Sequence, residues 1–397
     1  MPPFKDQVSR ASVRRLAGVL AGGDPGFGSR RFVQEVSRGL DELELKARIA
    51  HIAAALTRHL PADFEAAAAL VLRTVPGSDL DMWEAWPVMD WVAHAGIDAP
   101  STALEVIGAV TPRASGEFAV RPFIDRYPDL AFRTMERWTE DHDEEVRRLV
   151  SEGSRPRLPW APRVPLLDAQ PTWAVPLLDR LRDDPSPYVR RSVANHLNDL
   201  SKADPGAALE VARRWSVEGG THAAAVLRHG LRTLVKAGDP HALALVGADA
   251  EAPVEVHDFT VVTPTVRLGD ALEWRCVLTT RHDDPVTALV DYVVHFAGAR
   301  GAPRRKVFKL KRVRLERGRT VEIVRRHPLV PVTTRRYYPG RHRVEVQVNG
   351  RVLAGGDFDL VLDQPVASDL APGESILQEN APPDDTPPGE STSSWSS

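Results

Sequence analysis

The sequence predicts an α-helical solenoid that gives way to a β-sandwich and then to a disordered tail. Three observations carry this. Residues up to about 250 are rich in Ala, Leu, Arg and Glu with helical periodicity, and residues 254–362 alternate apolar and polar positions between turn residues. Residues 363–397 are dominated by Pro, Ser, Asp and Glu with few apolar side chains to bury. At 397 residues the chain is long enough for a separate core in each folded part.

In the first part, residues 12–23 (SVRRLAGVLAGG) read as a helix stopped by Asp24-Pro25. Their apolar stretch is too short and too glycine-rich for a twin-arginine export signal, so a cytoplasmic protein is expected. Residues 43–60 place apolar side chains at three- and four-residue steps, and Asp63 reads as the N-cap of the next helix. From the middle of this part an internal repeat appears. Val146-Arg147-Arg148 aligns with Val189-Arg190-Arg191 at 43 residues, and Leu227-Arg228-His229 follows about 38 residues later. Helix pairs at that period match HEAT-type repeats, whose equivalent helices line one concave face. The repeated arginines can line that face, or they can be the solvated side of each helix.

In the second part, HDFTVV, ALEWRCVLTT, ALVDYVVHF, KVFKLKRVRL, TVEIVRR, HRVEVQVNG and FDLVL read as seven strands of an immunoglobulin-like sandwich. Asn349-Gly350 reads as a two-residue hairpin turn, and with Cys276 alone no inter-sheet disulfide can form. Nine cations fall within 304–319, Lys306, Lys309 and Lys311 among them, and are expected on one hairpin with one cationic face. Edge protection also places lysines in strands, but this many favour a phosphate-facing surface.

The net charge of −3 excludes a uniformly basic coat while permitting a local basic face. One cysteine excludes cysteine-based metal centres, and the thirteen histidines show no ligand spacing. GGDPGFG at 22–28 lacks the GK[ST] of a phosphate cradle, and neither HExxH nor G-x-S-x-G occurs. No metal or cofactor is expected, and no apolar run is long enough to span a bilayer.

Chemistry concentrates in residues 146–160, VRRLVSEGSRPRLPW, where cations, one carboxylate (Glu152) and one indole (Trp160) fall within a few turns. Residues 188–199 echo it and end on Asp199, and Glu117 lies in SGEFAVRPF. Taken singly, each carboxylate reads as an exposed helix residue, Asp199 as a loop cap and Trp160 as a core plug. The repeat sets Glu152 against Asn195, so Asp199 lies about one turn further on. Both carboxylates are then expected on one side of the solenoid.

Residues 111–124, 147–161, 184–205 and 231–243, with YVVHFAGARG, KVFKLK and TTRRYYPGRHRVEVQVNG in the second part, resemble the AlkC family of bacterial DNA alkylation-repair glycosylases. The similarity covers roughly residues 5–362. It implies a DNA-binding HEAT-like solenoid with an immunoglobulin-like domain, acting as a monofunctional glycosylase on N3-methyladenine and N3-methylcytosine in duplex DNA without extruding the base. It further implies active-site roles for Glu152, Asp199 and Trp160, with Glu117 and Arg148 in support. On that reading Arg148, Arg155, Arg157, Arg190 and Arg191 contact phosphates flanking the lesion, and the stretch with Lys306, Lys309 and Lys311 grips the duplex. The expected molecule is a monomer. A HEAT scaffold that binds DNA or protein without catalysis is the alternative.

Overall fold

A computed structural model describes residues 3–299, 303–332 and 335–362. The tail expected beyond 362 lies outside the described residues. The first part is helical throughout: α1 (Arg10–Gly23), α2 (Ser29–Val36), α3 (Leu45–His59), α4 (Phe64–Thr74), α5 (Met82–Ala95) and α6 (Pro100–Val110). Next come α7 (Arg121–Arg126), α8 (Pro128–Trp138), α9 (Glu144–Gly153), α10 (Pro165–Ala169) and α11 (Val175–Leu181). The last are α12 (Pro187–Ala203), α13 (Pro205–Glu218), α14 (Ala223–Gly230), α15 (Arg232–Ala237) and α16 (Pro240–Leu245).

Caps set many of these starts. Asp63 accepts the Ala66 N–H as expected, and Asp143 and Ser186 do the same for α9 and α12. The apolar stripes of successive helices bury one continuous core from Val8 to Val246. The repeat has a structural basis at its first arginine. Arg147 donates to the carbonyls of Asp141 and His142, and Arg190 donates to those of Asp184 and Pro185. Each reaches back to the same two positions of the preceding loop, so this arginine clamps the turn that enters its helix.

Eight strands follow: β1 (Val254–Val261), β2 (Thr265–Arg267), β3 (Ala271–Thr280), β4 (Val286–Phe296), β5 (Arg304–Leu315), β6 (Val321–Pro328), β7 (Gly340–Val348) and β8 (Arg351–Val361). They form sheets ordered β1-β3-β6 and β2-β8-β7-β4-β5, antiparallel except where β2 meets β8. Strand β2 is the one the sequence did not show, because three residues are too few for alternation to register. Trp274, Cys276, Tyr292, Val344 and Phe358 fill the space between the sheets. Asn349 and Gly350 both have positive φ, 48° and 81°, which a two-residue turn between β7 and β8 requires.

The cationic stretch departs from expectation. Strand β5 pairs with β4, whereas β6 belongs to the other sheet, so residues 304–319 are not one hairpin. Strand β5 is an edge strand, and the register slips beside Leu310, where Val290 faces Lys311 and Asp291 faces Lys309. Residues opposed across an antiparallel ladder share a face. Lys306 and Lys311 therefore lie with Val294 and Val290 on the inner side, while Lys309 lies with Asp291 on the outer side. The bulge divides the cations between two faces.

The outer face of the five-stranded sheet seats on the end of the solenoid. Leu289 packs against the helical core, Gln347 Nε2 donates to the Lys236 carbonyl at 2.9 Å, and Asn349 Nδ2 donates to the Asp249 carbonyl at 2.7 Å. The backbones of Gly238 and Gly350 touch there: a Cβ on Gly350 would fall 2.1 Å from Gly238 Cα.

Candidate active site

The seam between α9 and α12 brings together the charged residues that the sequence spaces 30 to 50 positions apart. Glu152 closes the last turn of α9. Asp199 sits two turns after Ser192 on α12, and two turns return a side chain to the same face. Arg155, just past the end of α9, joins them: its Nε donates to Asp199 Oδ2 at 2.8 Å and its Nη1 to Glu152 Oε1 at 2.5 Å. Glu152 is 6% exposed and Asp199 1%. Two carboxylates thus share one guanidinium in a site almost closed to solvent.

Glu117 enters from the segment before α7. Its Oε2 lies 2.8 Å from Arg148 Nη1 and accepts from Ser115 Oγ at the same distance. Arg148 also lies 3.8 Å from Glu152 Oε1 and stacks 4.9 Å over the Tyr188 ring. Lys202 stands 3.6 Å from the free side of Asp199. The close approach of these segments depends on Gly153, where a Cβ would meet Val120 Cγ1 at 2.6 Å.

The electrostatics follow from burial and pairing. Burial pushes the Glu152 carboxyl up, but Arg155, Arg148 and the Ser192 hydroxyl outweigh it, so the group stays below its usual range and is ionised. Burial likewise opposes the charge on Arg148 and Arg155, and the carboxylates more than restore it. Three carboxylates face two guanidiniums and one ammonium at its rim. The charges balance, so the cluster carries little net charge.

Trp160 is 41% exposed, so the core-plug reading fails. Its φ of 65° is a left-handed conformation that a bulky residue adopts only when its surroundings impose it. The imposing groups are visible. Lys46 Nζ donates to the Trp160 carbonyl at 2.7 Å, and Arg121 holds the loop around it. Arg121, 1% exposed, donates to the carbonyls of Gly153, Arg155 and Pro162. Burial lowers its basicity to about 10, which leaves it charged at neutral pH. Sequence reasoning missed Arg121, Lys46 and Ser192. An arginine before a proline at a helix start carries no signal of burial, and a lysine in an amphipathic helix looks solvated.

The arginines expected at phosphates differ in their surroundings. Arg155 is buried between Glu152 and Asp199, Arg148 is committed to Glu117, and Arg190 clamps its own loop. Of these three Arg155 alone is buried, while Arg148 and Arg190 keep part of their surface exposed. Arg157 and Arg191 are exposed and form no ion pair among the described residues. In the second part Lys309 and Lys311 are exposed, and Lys306 is half-buried with its ammonium 5.1 Å over the Phe308 ring. No helix among the described residues is long and apolar enough to cross a membrane, and none of their His, Cys, Asp and Glu side chains cluster as a metal site.

Comparison with known proteins agrees across most of the chain. Residues 255–362 match the family described as the C-terminal Ig-like domain of the uncharacterised protein YhaZ. The chain is 32% identical over 363 residues to uncharacterized protein YhaZ of Bacillus subtilis (strain 168), covering 91% of this chain and all of that one. Among solved structures it is similar to the Pseudomonas fluorescens alkylpurine DNA glycosylase AlkC bound to DNA containing an abasic site analog. The two share 34% identity and a TM-score of 0.85 over 91% of this chain and 100% of the other. A likeness of this extent, spanning helices and sandwich together, establishes kinship: the chain belongs to the AlkC family.

Proposed function

We propose that the protein is a monofunctional DNA glycosylase that hydrolyses the N-glycosidic bond of N3-alkylated bases, N3-methyladenine and N3-methylcytosine, in duplex DNA. The observation that carries this reading is the pair Glu152 and Asp199 bridged by Arg155, beside a loop that holds the Trp160 indole out in a strained conformation. The DNA bound to the similar Pseudomonas protein supports the class of substrate.

The chemistry suits these groups. An N3-alkylated base is already cationic and leaves neutral, so acid assistance adds little. The work lies at the sugar, where positive charge grows as the bond breaks. An ionised carboxylate near the anomeric carbon attracts that charge and polarises the attacking water. An indole face adds a cation–π contribution that grows with the same charge. Glu152 is the catalytic carboxylate in this reading, Asp199 its partner, Trp160 the group against the deoxyribose, and Glu117 with Arg148 the support. Because the bond attacked is at the sugar, no pocket around the base is needed and the nucleotide stays in the helix. Arg157, Arg191, Lys306, Lys309 and Lys311 supply phosphate contacts; the protein works as a cytoplasmic monomer without a cofactor.

The test is direct. Incubated with methylated duplex, the protein releases N3-methyladenine and leaves alkali-labile abasic sites. Glu152→Gln keeps the fold and DNA binding while release slows by at least about a hundredfold, the range typical of a lost charge-stabilising group. Near wild-type release by that variant removes the mechanism. No release by the wild-type protein at high concentration points instead to a non-catalytic DNA-binding scaffold.

A further inference from the structure

Glu152 is held from two sides, and ion pairing accounts for only one. Its Oε1 faces Arg155 and Arg148, while its Oε2 accepts from Ser192 Oγ at 2.6 Å across the α9–α12 seam. Ser192 Oγ also lies 3.0 Å from Ser151 Oγ. A hydroxyl has one proton to give, and an ionised carboxylate only accepts. The Ser192 proton therefore goes to Glu152, and the Ser192 oxygen takes the proton of Ser151. The result is a directed chain from Ser151 to Ser192 to Glu152. His196 secures its far end: Nδ1 lies 3.0 Å from the Ser151 carbonyl, which can only accept, so Nδ1 carries the hydrogen. Burial lowers the basicity of this imidazole to about 4 and keeps it neutral.

Ser151, Ser192 and His196 are all at least 98% buried, in a seam that also buries Leu149, Val150, Val189, Val193 and Leu197. Two hydroxyls in such a place are costly unless each is fully hydrogen-bonded, and alanine at either position would pack without that cost. The chain ends on the one carboxylate assigned to catalysis. A carboxylate held by arginine alone can turn about its last bond and exchange its oxygens; one pinned at both oxygens cannot.

We infer that Ser192, relayed by Ser151, is a positioning residue that locks the carboxylate plane of Glu152, holding Oε1 on Arg155 and keeping the group from turning while the sugar reacts. The catalytic part of this inference rests on the glycosylase reading above. The experiment uses the full chain with carboxyl-13C glutamate, the Glu152 signal being assigned by its loss in Glu152→Gln. In Ser192→Ala a hydrogen bond to the ionised form is gone, so the Glu152 titration moves to higher pH; Ser192→Thr keeps the hydroxyl and returns it. The other groups around Glu152 stay in place in both variants: Arg148 and Glu145 on α9, Arg155 after it, Glu117 before α7, and Tyr188, His196, Asp199 and Lys202 on α12. Excision from methylated duplex falls on the order of tenfold in the alanine variant, and its acid limb moves to higher pH while duplex affinity holds.

An unshifted Glu152 titration and acid limb in Ser192→Ala overturn the inference, as does an equal loss of excision in the threonine variant. If Ser192→Ala fails to fold, Ser151→Ala reads the same chain one link back and shifts Glu152 in the same direction by less. The two readings fail separately. A shifted Glu152 signal in a protein that releases no base leaves the hydrogen bond standing and removes the glycosylase reading, and with it any catalytic purpose for the lock.

Discussion

Replacing Trp160 with glycine changes two things of opposite sign. The indole is largely exposed, so its loss from packing is small, while a glycine accepts φ of 65° without strain. Relief of a left-handed bulky residue is worth on the order of 1 kcal/mol. Trp160→Gly is therefore expected to melt a few degrees higher than the wild type by calorimetry while losing at least about tenfold in excision rate, as strained sites trade stability for function. A variant both less stable and less active would mean that the indole packs as structure. Arg121 and Lys46 belong to the same argument, since the carbonyls they hold are what keep Trp160 in that conformation. None of this strain was legible in the sequence. The run from Glu152 to Trp160 showed which residue types were near each other, but a backbone dihedral set by a lysine more than a hundred positions away leaves no local mark.

At the scale of elements, the repeat was legible and its meaning was not. Aligning the two VRR motifs located α9 and α12 and put Glu152 and Asp199 on one seam, because helical period and repeat length together fix which faces meet. What the repeat did not show is what its arginines hold: the first of each motif clamps a loop, the second pairs with Glu117 in α9, and its counterpart Arg191 in α12 is exposed. Strand β5 shows the complementary failure. Alternation identified the strand but not its partner, which depends on where β6 crosses, and one bulge at Leu310 redistributed its cations. That division gives a prediction. Lys311→Glu, at an exposed position, is expected to weaken duplex binding and to flatten the salt slope by about one phosphate contact. Lys309→Glu instead puts a second negative charge beside Asp291, a carboxyl that burial already pushes up to about 6, and is expected to lower the melting temperature. Binding measured across a salt series, with a melt for each variant, checks both. Equal salt slopes for Lys311→Glu and wild type mean that β5 does not face phosphates.

For the whole molecule, the question is what makes helices and sandwich act as one body. At the seam between them, side-chain amides of Gln347 and Asn349 reach carbonyls of the solenoid, and Gly238 meets Gly350 with no room for a side chain between them. Both glycines have φ of 81°, one capping α15 and the other completing the β7–β8 turn, so each is required twice, for its conformation and for its lack of a Cβ. Gly350→Ala places a methyl carbon 2.1 Å from Gly238 Cα, a distance no relaxation of a side chain can absorb, because the methyl is fixed to one backbone and the atom it meets belongs to the other. The two parts keep their own cores, and what must give is their mutual seating. The expected outcome is a near-native circular dichroism spectrum, faster proteolysis in residues 246–253, a larger radius of gyration by small-angle scattering, and duplex affinity lowered by about tenfold or more as the cations of β5 lose their fixed relation to α12. The turn strain of alanine at positive φ alone costs on the order of 1 kcal/mol and predicts only the lower melting point. If Gly350→Ala melts earlier but binds duplex with wild-type affinity and an unchanged radius, the sandwich contributes to DNA binding without being locked to the solenoid, and the seam is a tether rather than a register.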